Sequence, residues 1–153
     1  MSLVKENFVL KELTTIFSDK VSEPRVAGPR EVYLRVEKDS LHSLIQYLKN
    51  NFNLHHIVTI TGVDMGETID LIYHVTVYDR SLMLNIKTSV PKENPVMKSV
   101  CSLLPGAVIY EREVHDMLGV VFDGHPNLER LLLADDWPEN SYPLRKDWKM
   151  EGA

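Results

Sequence analysis

The chain has 153 residues, of which 44% are hydrophobic and 25% are charged, and these proportions are ordinary for a globular domain. Its formal net charge of −5 argues against general nucleic-acid binding, because such binding rewards clustered Lys and Arg and no cluster occurs here. The single cysteine excludes an internal disulfide and an iron–sulfur cluster held by this chain alone, and no apolar run approaches the ~20 residues that cross a bilayer.

The first ninety residues carry the periodic patterns of amphipathic helices and strands. Apolar residues at helical spacing predict a helix over 3–17 and another over 41–48, the second capped by Asp39 or Ser40. Residues 21–29, with two prolines and a glycine, are predicted to form a loop. Alternating or β-branched segments predict strands over 31–36, 55–63, 69–78 and 82–90, with a polar break over 79–81. Short connections favour an antiparallel meander for the last three strands.

The following segment predicts a third helix and a short strand. Asn94 and Pro95 have the chemistry of a helix start, since asparagine caps and proline suits the first helical position. The pair Pro105-Gly106 is expected to end that helix. The apolar, β-branched run over 107–110 then predicts a strand that leads into a charged segment.

After Gly119 no hydrophobic period is longer than 128–133, so the end of the chain is expected to be irregular. Long stretches without regular structure in a compact domain are usually functional or flexible. The order of elements predicts an α+β fold, a two-layer domain with a largely antiparallel sheet and helices on one face. We expect this globular domain over 1–118, followed by an extended C-terminal docking arm over 119–153.

The stretch 111–148 is the most informative part of the chain. Its fixed identities are Glu111-Arg112-Glu113, Asp116-Met117, Gly119, Phe122, Gly124-His125-Pro126, Leu128, Arg130, Leu132-Leu133, Asp136-Trp137 and Pro143-Leu144-Arg145-Lys146-Asp147. This pattern closely resembles the signature of the thirty-kilodalton (C) subunit of respiratory complex I, which related subunits of membrane-bound nickel–iron hydrogenases share. The resemblance is strong over 111–147 and diffuse in the preceding part.

The resemblance implies a non-catalytic, cofactor-free structural subunit of the peripheral arm of a complex I-like NADH:quinone oxidoreductase or membrane-bound hydrogenase. Its partners would be the large hydrogenase-like subunit and the neighbouring small iron–sulfur subunit, with the membrane reached only through the complex. The expected location is cytoplasmic, peripheral to the inner face of the cell membrane. The expected partner-binding residues are Glu111, Arg112, Glu113, Asp116, His125, Pro126, Arg130, Pro143, Leu144, Arg145, Lys146 and Asp147.

The chain also departs from the family pattern. Residues 138–142 stand where a glycine commonly separates the Asp-Trp and Pro-Leu-Arg elements, so the turn there is expected to differ. His115 replaces an aromatic residue. The chain ends soon after the signature, without the longer tail of many relatives, which favours an archaeal or bacterial hydrogenase-type complex over mitochondrial complex I.

The Glu-Arg-Glu triplet allows two interpretations. If it continues the predicted strand, Glu111 and Glu113 share one face and Arg112 takes the other. The carboxylates then form a solvated rim, or one of them fixes the course of the arm through Arg130, Arg145 or backbone amides.

A stand-alone enzyme is the main alternative, with Glu111, Glu113, His115 and Asp116 as a metal-dependent or acid–base cluster. A metal site at His115 and His125, with Asp116 and Asp123 beside them, is disfavoured because their spacing is not that of a known ligand pair on one helix. Cys101 is expected to be a buried, inert thiol, and no glycine-rich phosphate loop occurs. A free adaptor domain outside any redox complex is the second alternative.

Overall fold

The computed structural model describes residues 3–78 and 81–150, so most of the predicted polar break over 79–81 lies outside the described residues. Within these ranges the elements are α1 (Val4–Phe17), β1 (Val21–Gly28), β2 (Glu31–Val36), α2 (Leu41–Phe52), β3 (His56–Asp64), β4 (Thr68–Val77), β5 (Leu82–Pro91), β6 (Val96–Lys98), α3 (Ala107–Leu118) and β7 (Val121–Asp123). No helix in the described part of the chain is both long and apolar enough to cross a membrane.

The main sheet has five strands in the order β1-β2-β5-β4-β3. The predicted meander is confirmed, because β3, β4 and β5 pair antiparallel in sequence. Among the described strands of this sheet, only β2 and β5 pair in parallel, with Leu34 opposite Ile86. Helix α2 and the first two meander strands make the connection between them. The predicted α+β architecture with a largely antiparallel sheet is therefore correct.

One face of the sheet packs on the helices and forms the core. Leu34, Ile86, Tyr73 and Ile60 stand opposite one another across four neighbouring strands, and all four are buried. Because side chains alternate along a strand, these positions mark the inner face. The predicted helices α1 and α2 are confirmed, although Ser40 before α2 makes no side-chain cap, since a short 3-10 turn over Lys38–Ser40 precedes the helix.

The outer face of the sheet is polar. A hydrogen-bonded row crosses it from Thr61 to His74 (2.9 Å between Oγ1 and Nε2), then to Asn85 and Glu31, whose carboxylate also accepts a bond from the Tyr33 hydroxyl (2.9 Å). The row links strands β3, β4, β5 and β2. The helices pack on the opposite face of the sheet, as the sequence pattern predicts.

The predicted loop over 21–29 is wrong, because 21–28 form β1. This strand lies at the edge of the sheet, and among the described strands it pairs only with β2. An edge strand tolerates Pro24, because no further strand needs the backbone N–H that proline lacks. Register shifts between Ser22 and Arg25 and after Val26, with Glu23 at a φ of 52°, absorb the turn-forming residues.

The predicted helix starting at Asn94 is also wrong. Residues 96–98 form β6, which pairs in parallel with β7 and places Met97 opposite Phe122. Three apolar residues after β6, namely Val100, Leu103 and Leu104, are buried from irregular turns. Asn94 and Pro95 are typical of a helix start, but pairing with β7, more than twenty residues later, outweighs this local preference.

The predicted strand over 107–110 is the first turn of α3. Pro105-Gly106 precedes this helix and does not end one. The positions Ala107, Glu111, Val114 and Leu118 are buried, which is helical and not strand spacing. On a helix, residues two apart point in different directions, so Glu111 and Glu113 do not share a face.

Helix α3 lies against β3 at Gly62. A Cβ at this position would collide with the side chain of Leu118 and crowd that of Val114. Glycine therefore permits the close approach of helix to strand that places α3 at the end of the sheet. The helix ends at Gly119, whose φ of 78° is a left-handed cap and whose N–H donates to His115.

Candidate docking site: helix α3 and the C-terminal arm

Polar side chains on α3 hold the backbone of the arm, the described residues 119–150. Asp116 accepts hydrogen bonds from three successive amides, those of Leu131 (2.8 Å), Leu132 (2.8 Å) and Leu133 (3.2 Å). Arg112, one helical turn earlier, donates to the carbonyls of residues 129 (3.0 Å) and 130 (2.6 Å). Together the two side chains bind both amides and carbonyls of the backbone segment 129–133, and these bonds fix its course along α3.

The carboxylate of Asp116 is ionised in this setting. Burial alone would raise its pKa, but the three backbone N–H donors outweigh the burial and hold the pKa below its usual value. A carboxylate that accepts several amide bonds makes directional, charge-assisted contacts. The hypothesis that Glu111 or Glu113 fixes the course of the arm is therefore wrong. Asp116, which the hypothesis did not name, holds the arm through backbone amides.

Glu111 points the other way, into the interior, and has no exposed surface. Its carboxylate accepts bonds from the Ser99 hydroxyl (2.7 Å), the Val100 amide (2.9 Å) and the Cys101 thiol (3.1 Å). It therefore ties α3 to the loop that follows β6. Burial raises the pKa of the Cys101 thiol to about 12, with Glu111 adding to the rise, so the thiol is protonated and unreactive, as predicted.

The two histidines of this region form hydrogen bonds with backbone groups. His125 donates from Nε2 to the carbonyl of Val108 (3.0 Å) and accepts the amide of Asn127 at Nδ1 (2.9 Å). His115 bonds through Nδ1 to the carbonyl of Val120 (2.8 Å). Pro126 is exposed beside the first of them. These contacts shape the first turn of the arm where it leaves α3.

The end of the arm returns to the C-terminus of α3. Arg145 donates from Nε to the carbonyl of Leu118 (2.7 Å), and the amide of Leu144 donates to the carbonyl of Met117 (3.1 Å). The guanidinium of Arg145 also lies 4.7 Å from the centre of the Tyr142 ring. That ring covers Gly119, where a Cβ would come within 2.5 Å of it.

A second carboxylate, Asp64 at the end of β3, fastens the last part of the arm. It accepts the amides of Lys146 (2.9 Å) and Gly66 (2.8 Å) and pairs with the ammonium of Lys92 (2.7 Å). Lys92 reaches on to Asp147 (3.2 Å). Sequence reasoning missed Asp64 and Lys92, because each lies in an ordinary turn or strand end and nothing local marks it.

Asp64 predicts a specific pH dependence of stability. Burial would raise its pKa, but Lys92 and the two amides outweigh this and hold the pKa well below the ordinary range. A carboxyl with a depressed folded-state pKa contributes stability that is complete above its unfolded value of about 3.9 and is lost as pH falls toward the folded value. We therefore expect Asp64→Asn to flatten the fall in unfolding free energy between about pH 5 and pH 2, measured by urea denaturation.

The matched control for this experiment is Asp19→Asn, which changes an exposed carboxylate after α1. It should keep the acid sensitivity of the parent chain. Equal slopes for the parent and for Asp64→Asn would contradict the assignment of Asp64 as the acid-labile fastener.

The segment 137–148 closes on itself through two indoles. Trp137 and Trp148 stack with ring centroids 6.0 Å apart. Both donate to Ser141, the first to its carbonyl (2.8 Å) and the second to its hydroxyl (2.9 Å). Asn140, with a φ of 56°, supplies the left-handed turn. This turn occupies the part of the chain that departs from the family pattern.

Apolar side chains project from this anchored backbone. Leu132 is 57% exposed and Leu144 is 60% exposed, although the amide of each is held by α3. Ile109 on α3 is 47% exposed. Burying such side chains is favourable by roughly 1.5–3 kcal/mol each relative to leaving them in water. These side chains are held outward and are available for contact with another molecule.

The residues of the enzyme alternative do not form one cluster. Glu111 is directed into the core, Glu113 into solvent, His115 toward the Val120 carbonyl and Asp116 toward the arm. Within the described ranges, candidate metal-ligand atoms come within 4.8 Å of one another at Cys101, Glu111 and His125. The thiol donates to the carboxylate there, and both ring nitrogens of the histidine bond to backbone.

Comparisons with known proteins agree with this description. Residues 34–153 match the family model for the 30 kDa subunit of respiratory-chain NADH dehydrogenase. The chain belongs to this 30 kDa subunit family. The matched range spans the signature stretch 111–147, and it confirms the resemblance.

Relatives of this 30 kDa-type chain occur in archaea and bacteria. The "C" subunit of the F420H2 dehydrogenase of Methanosarcina mazei is 32% identical over 143 residues, which cover 92% of this chain and 90% of the relative. The corresponding subunit of the NADH-quinone oxidoreductase of Moorella thermoacetica is 32% identical over 148 residues, covering 95% and 96%. This chain is therefore a 30 kDa-type subunit of NADH-quinone oxidoreductase-like complexes.

Solved structures share the fold. A chain of the membrane-bound sulfane sulfur reductase, an archaeal respiratory membrane complex, superposes with a TM-score of 0.83 at 28% identity, covering 96% of this chain and 87% of that one. The trypsin-resistant fragment (1–134) of Nqo5 superposes with a TM-score of 0.64 at 20% identity, covering 80% and 99%. At that identity the second likeness concerns the fold alone.

Proposed function

We propose that this 30 kDa-type chain is a non-catalytic, cofactor-free structural subunit in the peripheral arm of a complex I-like oxidoreductase or membrane-bound hydrogenase. It docks on the large hydrogenase-like subunit and lies next to the small iron–sulfur subunit. The observation that carries the proposal is the anchored arm, in which Asp116 alone holds three successive backbone amides. The proposed division places the globular domain at 1–118 and the docking arm at 119–153.

The signature residues divide into two roles under this proposal. Arg112, Asp116 and Arg145 position the arm through backbone carbonyls and amides, and they present its apolar side chains to the partner. Leu132 and Leu144 make the contact itself. Positioning favours affinity because a backbone that is ordered before binding loses less conformational freedom in the complex.

The proposed location is cytoplasmic, at the inner face of the cell membrane and held there by the complex. The sulfane sulfur reductase that shares this fold is a membrane-bound respiratory complex, which supports peripheral association. The stand-alone enzyme is disfavoured because Glu111, Glu113, His115 and Asp116 point in separate directions. No electron passes through such a subunit, whose role is to keep its redox-active neighbours in place.

Leu132→Asp and Leu144→Asp test the docking role. Both side chains are exposed, so the isolated chain should fold with a melting temperature close to that of the parent. Each change places a charge where an apolar side chain is buried in the complex, and we expect at least a roughly tenfold loss of copurification with the large subunit from the native host.

Ile16→Asp is the matched control, because Ile16 is 52% exposed on α1. It should leave copurification unchanged. Full recovery of the large subunit with both leucine variants, or equal loss with all three, would contradict docking through the arm.

A further inference from the structure

We infer that the free edge of β3 accepts an extended segment of the docking partner as an additional strand of the main sheet. This inference rests on the proposed function and adds a second, main-chain contact to it. Strand addition uses backbone hydrogen bonds for affinity and alternate side chains for specificity. The edge in question runs over residues 59–64, where the register with β4 is unbroken.

The two edges of the sheet differ in the features that prevent strand pairing. β1, at one edge, contains Pro24, the exposed charges of Glu23 and Arg25, and two register irregularities. Each of these features blocks the approach of another strand. β3, at the other edge, has no proline and no charged side chain from 57 to 63, and its irregularity is confined to Val58. One edge is protected and the other is not.

The backbone of β3 is paired on one side only. In an antiparallel ladder, alternate amides and carbonyls bond to the neighbour and the rest point away from it. Among residues 3–78 and 81–150, no strand other than β4 pairs with β3. Thr61 is exposed and Val63 is 39% exposed, so solvent reaches this edge in the isolated chain. Such an uncharged edge is a template for a further strand.

The position of the edge beside the arm favours the docking partner as its occupant. The last residue of β3, Asp64, holds the amide of Lys146 in the arm, and α3 packs on the inner face of the same strand at Gly62. The edge and the docking arm are therefore parts of one continuous surface. A partner that covers Leu144 reaches β3, and the segment it contributes is an extended one with small or β-branched residues beside Thr61 and Val63.

Hydrogen–deuterium exchange, resolved by residue, tests the inference on the full chain alone and in the purified complex. The amides of 59–64 that bond to β4 should be protected in both samples. The alternate amides, which face outward, should exchange rapidly in the isolated chain and at least about 100-fold more slowly in the complex. Unchanged exchange at the outward amides would overturn the inference.

The same measurement separates this inference from the proposed function. If only the arm gains protection in the complex, docking through the arm stands and the edge contact is wrong. If neither region gains protection, both fail. Protection of 59–64 that rises with the concentration of the isolated chain would show pairing between two copies, which also overturns the inference.

Val63→Lys is the corresponding variant. Val63 stands opposite Asp70, so the new ammonium has a carboxylate beside it and the domain should remain folded. An edge lysine opposes strand addition, and we expect about tenfold weaker capture of the partner. The control Ile16→Lys, on the surface of α1, should not change capture. Equal capture by Val63→Lys and the parent chain would contradict strand addition at this edge.

Discussion

Glu111→Ala should lower the free energy of unfolding by about 3–5 kcal/mol, because it leaves buried donors without an acceptor. The donors are the hydroxyl of Ser99, the amide of Val100 and the thiol of Cys101, and the carboxylate that serves them is wholly buried. Each unsatisfied buried group costs about 1–3 kcal/mol, and partial relaxation keeps the sum below three full penalties. Chemical denaturation of the purified chain measures the change.

Glu113→Ala is the control, only two residues along the same helix. Its side chain is exposed, so the change should stay within about 0.5 kcal/mol. Glu111→Gln keeps the shape but introduces an amide donor among donors, and it should fall between the two. Similar losses at positions 111 and 113 would show that the two glutamates of the triplet are equivalent, against the helical placement described here.

Asp116→Ala should release the middle of the arm while the globular domain stays folded. The carboxylate accepts the amides of residues 131–133, and bonds to a charged acceptor contribute more than neutral ones. A loss of at least about 2 kcal/mol of local stability corresponds to roughly 30-fold faster opening of this segment. Amide exchange at 131–133 and the rate of limited proteolysis over 127–140 should both rise by about that factor.

The functional consequence of Asp116→Ala is weaker docking without loss of the contacting side chains. The variant still carries Leu132, but the backbone around it is no longer held and loses conformational freedom when the partner binds. We therefore expect at least about tenfold poorer copurification of the partner. Asp123→Ala, at an exposed carboxylate in β7, should change neither exchange nor copurification. An Asp116→Ala chain with an unchanged exchange rate at 131–133 would rule out the anchoring role.

The contacts of the signature residues explain much of the signature in physical terms. Its charged residues mostly satisfy this chain's own backbone: Glu111 holds the loop after β6, Arg112 and Asp116 hold the middle of the arm, and Arg145 holds the end of α3. Leu132 and Leu144 are exposed, and under the proposed function they contact the partner. Much of the signature therefore shapes the arm itself.

Secondary structure was predictable wherever local periodicity and burial agree. The pattern around Leu41 and Leu48 marks α2, and alternation marks β2, β4 and β5, because one face of each packs on the core. The run over 107–110 failed this test, since four apolar residues fit a buried strand and the first turn of a helix equally well. The edge strand β1 was hidden by Pro24, which an unpaired edge tolerates.

The sequence by itself determined the family, the α+β class and the meander, because these depend on composition, short-range periodicity and the identities of the signature residues. Only the tertiary structure decided that Glu111 is buried, that Asp116 holds the arm and that Asp64 fastens its end. The reason is distance along the chain: Asp64 and Lys146 are 82 residues apart, and no local pattern encodes which carboxylate meets which amide. The contact exists because the folded sheet and α3 bring these two residues to the same surface.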